Sequence, residues 1–236
     1  MILAAGQGTR LHPLTLTCPK PMIPVADRPL LEYIVRLLAR HDFTDLAINL
    51  HHLPEQVTSH FGAGADFGVD ITYSHEQELL GTAGAVRQMA PFFDQPFLVY
   101  YGDNLTNVDL TALWTQHRQS GALATVGLLW MDDPSSRGIV QLDGDNRIRQ
   151  VIEKPRPDQV FADYLVNGGI YAFDPEILNY IPPGPSDFAA DIFPALLQQG
   201  APLYGHRLIG QLLSTDTPQR YAHARRQVAA GTFTLP

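Results

Sequence analysis

Residues 1–21 read MILAAGQGTRLHPLTLTCPKP: a short apolar run, two glycines one residue apart, an arginine, and a lysine between two prolines. The run at residues 2–5 has the composition of a buried strand, and Gly6 falls directly after it. Glycine takes up positive φ and lets backbone approach a ligand closely. Gly6 and Gly8 therefore make a turn whose exposed N–H groups can cradle phosphate oxygens. Arg10 adds a planar fork of donors, and Lys20 adds a second cation on backbone stiffened by Pro19 and Pro21. The stretch reads as a strand end followed by a loop that holds a nucleoside triphosphate. It is not a P-loop, because no Gly-Lys-Ser/Thr follows. It also lacks the third glycine of the dinucleotide fingerprint, and Pro13 breaks the helix that fingerprint needs.

Outward from this loop the pattern alternates. Further β-rich runs lie at residues 46–50, 69–74, 97–101 and 123–130. Between them, Leu30, Leu31, Ile34, Leu37 and Leu38 fall on one face of a helix that Pro29 can open. Continuous apolar strands alternating with helices predict a mostly parallel sheet covered on both sides. Ligands on such sheets collect at the carboxyl ends of the strands, where Gly6 and Asp103 both fall. After about residue 135, GIVQLDGDNRIRQVIEKP (138–155) predicts a hairpin around its DGDN turn. A strand at 169–173 and helices near 175–180, 187–198 and 217–230 follow. We expect one domain over residues 1–236, with a nucleotide half (1–130) and a second-substrate half (131–236).

Composition sets the outer limits. The 236 residues are 45% apolar and 17% charged, which is globular. A net charge of −8 argues against broad nucleic-acid binding, because phosphate-backbone affinity needs clustered Lys and Arg. No apolar stretch is long enough to span a bilayer, and the N-terminus has no basic segment ahead of its short apolar run. The lone Cys18 cannot form an internal disulfide, so the expected setting is the cytoplasm.

Gly-x-Gly alone is a common turn. The ordered set Thr9, Arg10, Pro13, Thr15, Pro19, Lys20 and Pro21 is specific, and LAAGQGTRLHPLTLTCPKP resembles the signature of the sugar-1-phosphate nucleotidyltransferases. The resemblance runs through nearly the whole chain. It implies an α/β, Rossmann-like mostly parallel mixed sheet flanked by helices, and nucleotidyl transfer from a triphosphate to a sugar 1-phosphate with release of pyrophosphate. It places the triphosphate on Ala4, Gly6, Gly8, Thr9, Arg10 and Lys20. Some relatives carry a C-terminal β-helix that drives assembly; this chain stops after its last helix, so any homo-oligomer is expected to use the catalytic domain.

Further motifs fit the resemblance. HEQELLGTAGAV (75–86) is similar to the family's base-recognition segment, with Glu76, Gly81 and Thr82 as nucleotide contacts. Glu76 stands where uridylyl and thymidylyl relatives tend to place glutamine. A carboxylate only accepts, and guanine offers adjacent N–H donors, so the stretch looks closest to mannose-1-phosphate guanylyltransferases. The alternative is a solvated loop charge at Glu76 or Glu78. In LVYYGDN (98–104), Asp103 ends a strand where a carboxylate can hold Mg²⁺ on phosphate oxygens, and the resemblance assigns the metal to it. VIEKP (151–155) supplies Glu153 for a sugar hydroxyl and Lys154 for the sugar phosphate. Asn167 in LVNGGIYAF (165–173) and Gly138 match sugar-side positions, although Arg137 stands where relatives often have tyrosine.

One departure stands out. Relatives usually carry Trp-x-Asp-x-Gly-Thr-Pro near the C-terminus, with its aspartate as a second metal ligand. The matching stretch here is LLSTDTPQRY (212–221), which puts Ser214 at the aspartate position and Asp216 at the glycine. Either Asp216 reaches the metal from a shifted backbone, or water completes the shell, or catalysis is impaired. The expected activity is Mg²⁺-dependent guanylyl transfer from GTP to a mannose-like or heptose-like 1-phosphate. The alternatives are glucose-1-phosphate uridylyl or thymidylyl transfer, or a nucleotide-sugar-binding paralogue without turnover.

Overall fold

The computed structural model describes residues 1–131, 134 and 138–234; Arg137 lies outside the described residues. The elements run β1 (Ile2–Leu3), β2 (Pro24–Val25), β3 (Arg28–Pro29), α1 (Leu30–Arg40), β4 (Asp45–Leu50), α2 (Pro54–Phe61), β5 (Asp70–His75), α3 (Gly81–Gln88), β6 (Phe97–Tyr101), β7 (Asn104–Thr106), α4 (Leu110–Ser120) and β8 (Ala124–Leu129). Strands β9 (Ile139–Leu142), β10 (Ile148–Ile152) and β11 (Leu165–Phe173) follow, then α5 (Phe193–Gln198), β12 (Leu203–Arg207), β13 (Leu212–Ser214) and α6 (Pro218–Ala229). The fold is of the α/β class. The chain forms two compact units, one from Met1–Leu79, Tyr101–Leu110 and Gly210–Pro236, the other from Leu80–Tyr100 and Thr111–Ile209.

In the first unit, β1, β4 and β5 pair in parallel, with Ile2 opposite Ile48 and Leu50 opposite His75. Buried apolar residues fill β4 because both faces of a parallel strand are covered. Helix α1 begins after Pro29, whose missing N–H costs nothing at a helix start. Its Leu30, Leu31, Ile34, Leu37 and Leu38 are all buried, as their spacing predicts. A short antiparallel ladder sets β13 against β7, with Ser214 opposite Asn104. That ladder brings residues more than a hundred positions apart in sequence to the end of the Asp103 turn.

The second unit is organised on β11, all nine residues of which are buried. β11 runs antiparallel to β6, β8 and β9; β12 lies parallel to β8, and β9–β10 form the expected hairpin. The β11–β8 register breaks between Asn167 and Tyr171, where Gly169 sits at a φ of 70°. Tyr171 and Phe173 pack with Phe188 and Phe193 in an aromatic cluster. The helix expected over 187–198 divides in two. Ile192 N–H reaches back five residues to Asp187 O, giving a π turn at Phe188–Ile192 before α5. Pro194 can take the second position of α5 because its missing N–H is not needed there. Among the described residues, no helix is long and apolar enough to cross a membrane.

Candidate active site

The opening loop is braced from several sides within the first unit. Gly8 has a φ of 65°, and a Cβ there would meet Lys20 Cβ at 3.0 Å and Thr15 Cγ2 at 3.1 Å, so glycine is needed for both conformation and space. Gly8 O accepts from Thr15 Oγ1 and from Leu11 N–H, each at 2.8 Å. A Cβ at Gly6 would meet no heavy atom within 4 Å. Thr9 is exposed and opens a 3-10 turn, while Ala4 is buried. The adjacent histidines diverge, as expected of neighbours: His52 Nε2 lies 2.9 Å from Thr15 O, and His51 Nδ1 lies 2.8 Å from Glu76 O. Cys18 is half-buried and burial raises its thiol, which leaves it a poor nucleophile.

Both cations of the loop meet carboxylates. Lys20 Nζ lies 2.8 Å from Asp103 Oδ2, and Arg10 NH1 lies 2.8 Å from Asp216 Oδ2. Asp103 is carried on the turn between β6 and β7. There Gly102 N–H donates to Leu3 O at 2.9 Å, and any Cβ at residue 102 would come 2.8 Å from that same oxygen. Thr215 pins the turn from the other side, donating its N–H and its Oγ1 to Asp103 O, both at 3.1 Å. Asp216 follows directly. It accepts from Ser214 Oγ at 2.8 Å and from Arg220 NH1 at 3.1 and 3.2 Å. Burial works to raise the Asp216 carboxyl. The Ser214 and Arg220 hydrogen bonds and the charges of Arg220 and Arg10 outweigh it and hold the group below the usual aspartate value.

Glu76 is buried rather than solvated, only 6% exposed, which removes the loop-charge alternative for this residue. Its Oε1 accepts from Asn49 Nδ2 at 2.6 Å, and Asn49 Oδ1 accepts the Ala4 N–H at 2.7 Å. One buried asparagine thus ties the ends of three parallel strands together. Sequence reasoning missed Asn49, because inside DLAINL it reads as a single polar interruption of an apolar strand.

In the second unit, the GTAG stretch is used for packing. A Cβ at Gly81 would stand 2.5 Å from Ser186 O, and one at Gly84 would stand 2.5 Å from Gly184 O. Thr82 Oγ1 donates to Asp187 Oδ1 at 3.0 Å and accepts Phe188 N–H at 2.9 Å. These glycines admit the backbone of residues 184–186, a requirement the sequence does not announce. Elsewhere in this unit Gly138, Glu153 and Asn167, expected from the sequence on the sugar side, converge. Asn167 N–H donates to Gly138 O at 2.9 Å, and Glu153 Oε2 lies 2.6 Å from where a Gly138 Cβ would be. Asn167 is buried, donating to Tyr171 Oη at 2.8 Å and accepting from Gly169 N–H at 2.9 Å. Lys154 is exposed and holds a φ of 45°, a left-handed conformation that is uncommon for a side-chain-bearing residue and collects at functional positions. A separate cleft of about 270 Å³, lined by His117, Arg118, Asp174, Glu176 and Tyr180, contains none of the expected residues.

Among the described residues, no group of three or more metal-ligating side chains occurs. Mg²⁺ needs only one or two carboxylates when substrate phosphates supply the rest. Asp103, with a side chain 30% exposed, fits that requirement. Asp216 fits it poorly, because its two oxygens already take two guanidiniums and a hydroxyl.

Comparison with known proteins shows which family the chain resembles. The family model described as nucleotidyl transferase matches residues 1–224. A UTP--glucose-1-phosphate uridylyltransferase of Synechocystis sp. is 40% identical over 219 residues, covering 86% of this chain and 56% of that protein. A mannose-1-phosphate guanylyltransferase of Mycobacterium tuberculosis is 31% identical over 242 residues, covering 100% of this chain and 66% of that protein. The chain thus spans less than two thirds of the length of these relatives. A Bacillus anthracis structure in complex with a sucrose, described as a candidate glucose-1-phosphate thymidylyltransferase, superposes with a TM-score of 0.87 at 27% identity, covering 100% of this chain and 96% of that one.

Proposed function

We propose that this chain, which belongs to the nucleotidyl transferase family, transfers a nucleotidyl group from a nucleoside triphosphate to a sugar 1-phosphate. The observation that carries the reading is the paired arrangement of Arg10 on Asp216 and Lys20 on Asp103, two cations of one glycine loop held on a shared backbone ladder. In the reaction an oxygen of the sugar phosphate bonds to the α-phosphorus, and the bond from that phosphorus to pyrophosphate breaks. The loop N–H groups, Arg10 and Lys20 hold the triphosphate and stabilise charge on the departing pyrophosphate. Lys154 holds the sugar phosphate and lowers its repulsion from the triphosphate, while Glu153, Gly138 and Asn167 meet the sugar. Asp103 would hold Mg²⁺, which would neutralise negative charge on the substrate phosphates. Most of the acceleration then comes from positioning and electrostatics. The unpaired Cys18 supports the cytoplasm as the compartment.

For the base, the reading is guanine, with Glu76 accepting from its adjacent donors. The second reading, uridylyl transfer to glucose 1-phosphate, draws on the 40% identical relative and on the Asn49 bond that already occupies Glu76 Oε1. Competition among GTP, UTP, dTTP and ATP, on the wild type and on Glu76→Gln, separates the two. Under the first reading GTP wins, and the variant narrows its lead by roughly ten- to a hundredfold. A wild-type preference for UTP or dTTP removes the guanylyl assignment.

A further inference from the structure

The residue Asp216 stands two positions beyond the place where the resemblance expects an acid, and it is built into a rigid frame. Ser214 is fixed by β-ladder pairing opposite Asn104, and Thr215 by two bonds to Asp103 O. Thr217 caps α6, its Oγ1 accepting Arg220 N–H at 3.3 Å. One turn into that helix, Arg220 returns its guanidinium to both Asp216 oxygens. The anchor is thus buried, with a side chain 10% exposed, while the Arg10 it holds is 63% exposed. An exposed arginine left alone samples many rotamers, and ordering it costs side-chain entropy. The contact is made by NH1, and most of the Arg10 side chain stays exposed.

We propose that Asp216 is a positioning residue that holds Arg10 in place to receive the pyrophosphate part of the substrate, with Ser214 and Arg220 locking the carboxylate. The proposal deepens the nucleotidyl-transfer reading and rests on it. It assigns Asp216 to the arginine and not to a metal. With Arg10 largely exposed, solvent screens the pair and it adds little stability by itself, so its value lies in geometry.

The test is a double-mutant cycle on Arg10→Ala and Asp216→Asn, read as the dissociation constant of inorganic pyrophosphate measured calorimetrically in metal-free buffer. Charge alone would make Asp216→Asn bind the anion more tightly. Positioning predicts binding several-fold weaker in the Arg10 protein and less than twofold changed in the Arg10→Ala background. Equal effects in both backgrounds, tighter binding, an effect seen only with Mg²⁺ present, or no pyrophosphate binding by the wild type would each overturn the proposal. Should Asp216→Asn fail to fold, Ser214→Ala replaces it, with a smaller loss that must also vanish in the Arg10→Ala background. Failure of the wild type to release pyrophosphate from any triphosphate defeats the parent reading, whereas the binding cycle still reports on Asp216.

Discussion

Replacing Asn49 with alanine should destabilise the protein strongly, although the side chain is small and far from any charge reversal. Asn49 Oδ1 is the acceptor for the buried Ala4 N–H, and Asn49 Nδ2 is a donor to the buried Glu76 carboxylate. Loss of the first partner leaves a buried donor without its bond, which costs roughly 1–3 kcal/mol. Loss of the second removes a hydrogen bond to a charged group, about 1.5–3 kcal/mol. The sum is about 4 kcal/mol. At about 2–4 °C per kcal/mol for a chain of this size, the melting temperature should fall by roughly 8–16 °C. Urea denaturation followed by circular dichroism measures the free energy directly, and an unchanged slope would show that the unfolded states are comparable. Asn49→Asp should lose at least as much at neutral pH, because it sets a second carboxylate against Glu76. An Asn49→Ala protein within about 1 kcal/mol of wild type would show that this buried bridge does not anchor the strand ends.

Two further predictions follow from the charged groups. Lys154→Ala retains a Cβ and so leaves the left-handed backbone conformation as it is; it should raise KM for sugar 1-phosphate far more than KM for the triphosphate, and equal rises would give Lys154 a shared or structural role. The Asp216 carboxyl is depressed below its reference of 3.8, so its contribution to stability is present above that value and lost as pH falls through the folded-state value. Asp216→Asn should therefore flatten the acid limb of a stability-versus-pH curve below about pH 4, and an unchanged limb would contradict the assigned charge pairing.

What the sequence disclosed follows the strength of local signals. Apolar runs marked β4, β5, β6 and β8, and the spacing of Leu30 to Leu38 marked α1, because burial on one or both faces selects apolar residues. Helix α4 was less legible, since LTALWTQHRQS mixes polar residues through every turn. The three-residue β13 has no period to read at all. For the candidate site, the sequence points to residues adjacent to glycine or proline because those neighbours constrain backbone locally. It does not point to Asn49, Asp187 or Arg220, because each acts on a partner that only the fold brings near or on a helix turn with no distinguishing composition. The sequence singles out Glu76 but does not disclose its burial. The aspartate displaced to position 216 was visible as a departure, whereas its attachment to Arg10 was not.

Nucleotidyl transfer to a sugar 1-phosphate is tested by pyrophosphate release from a matrix of four triphosphates against mannose, glucose and heptose 1-phosphates, run with Mg²⁺ on the wild type and on Asp103→Asn. We expect release that requires both a triphosphate and a sugar 1-phosphate, and a loss of roughly a hundredfold or more in the variant, about 3 kcal/mol of barrier. Absence of pyrophosphate in every cell of the wild-type matrix, or near-normal turnover by Asp103→Asn, would contradict it.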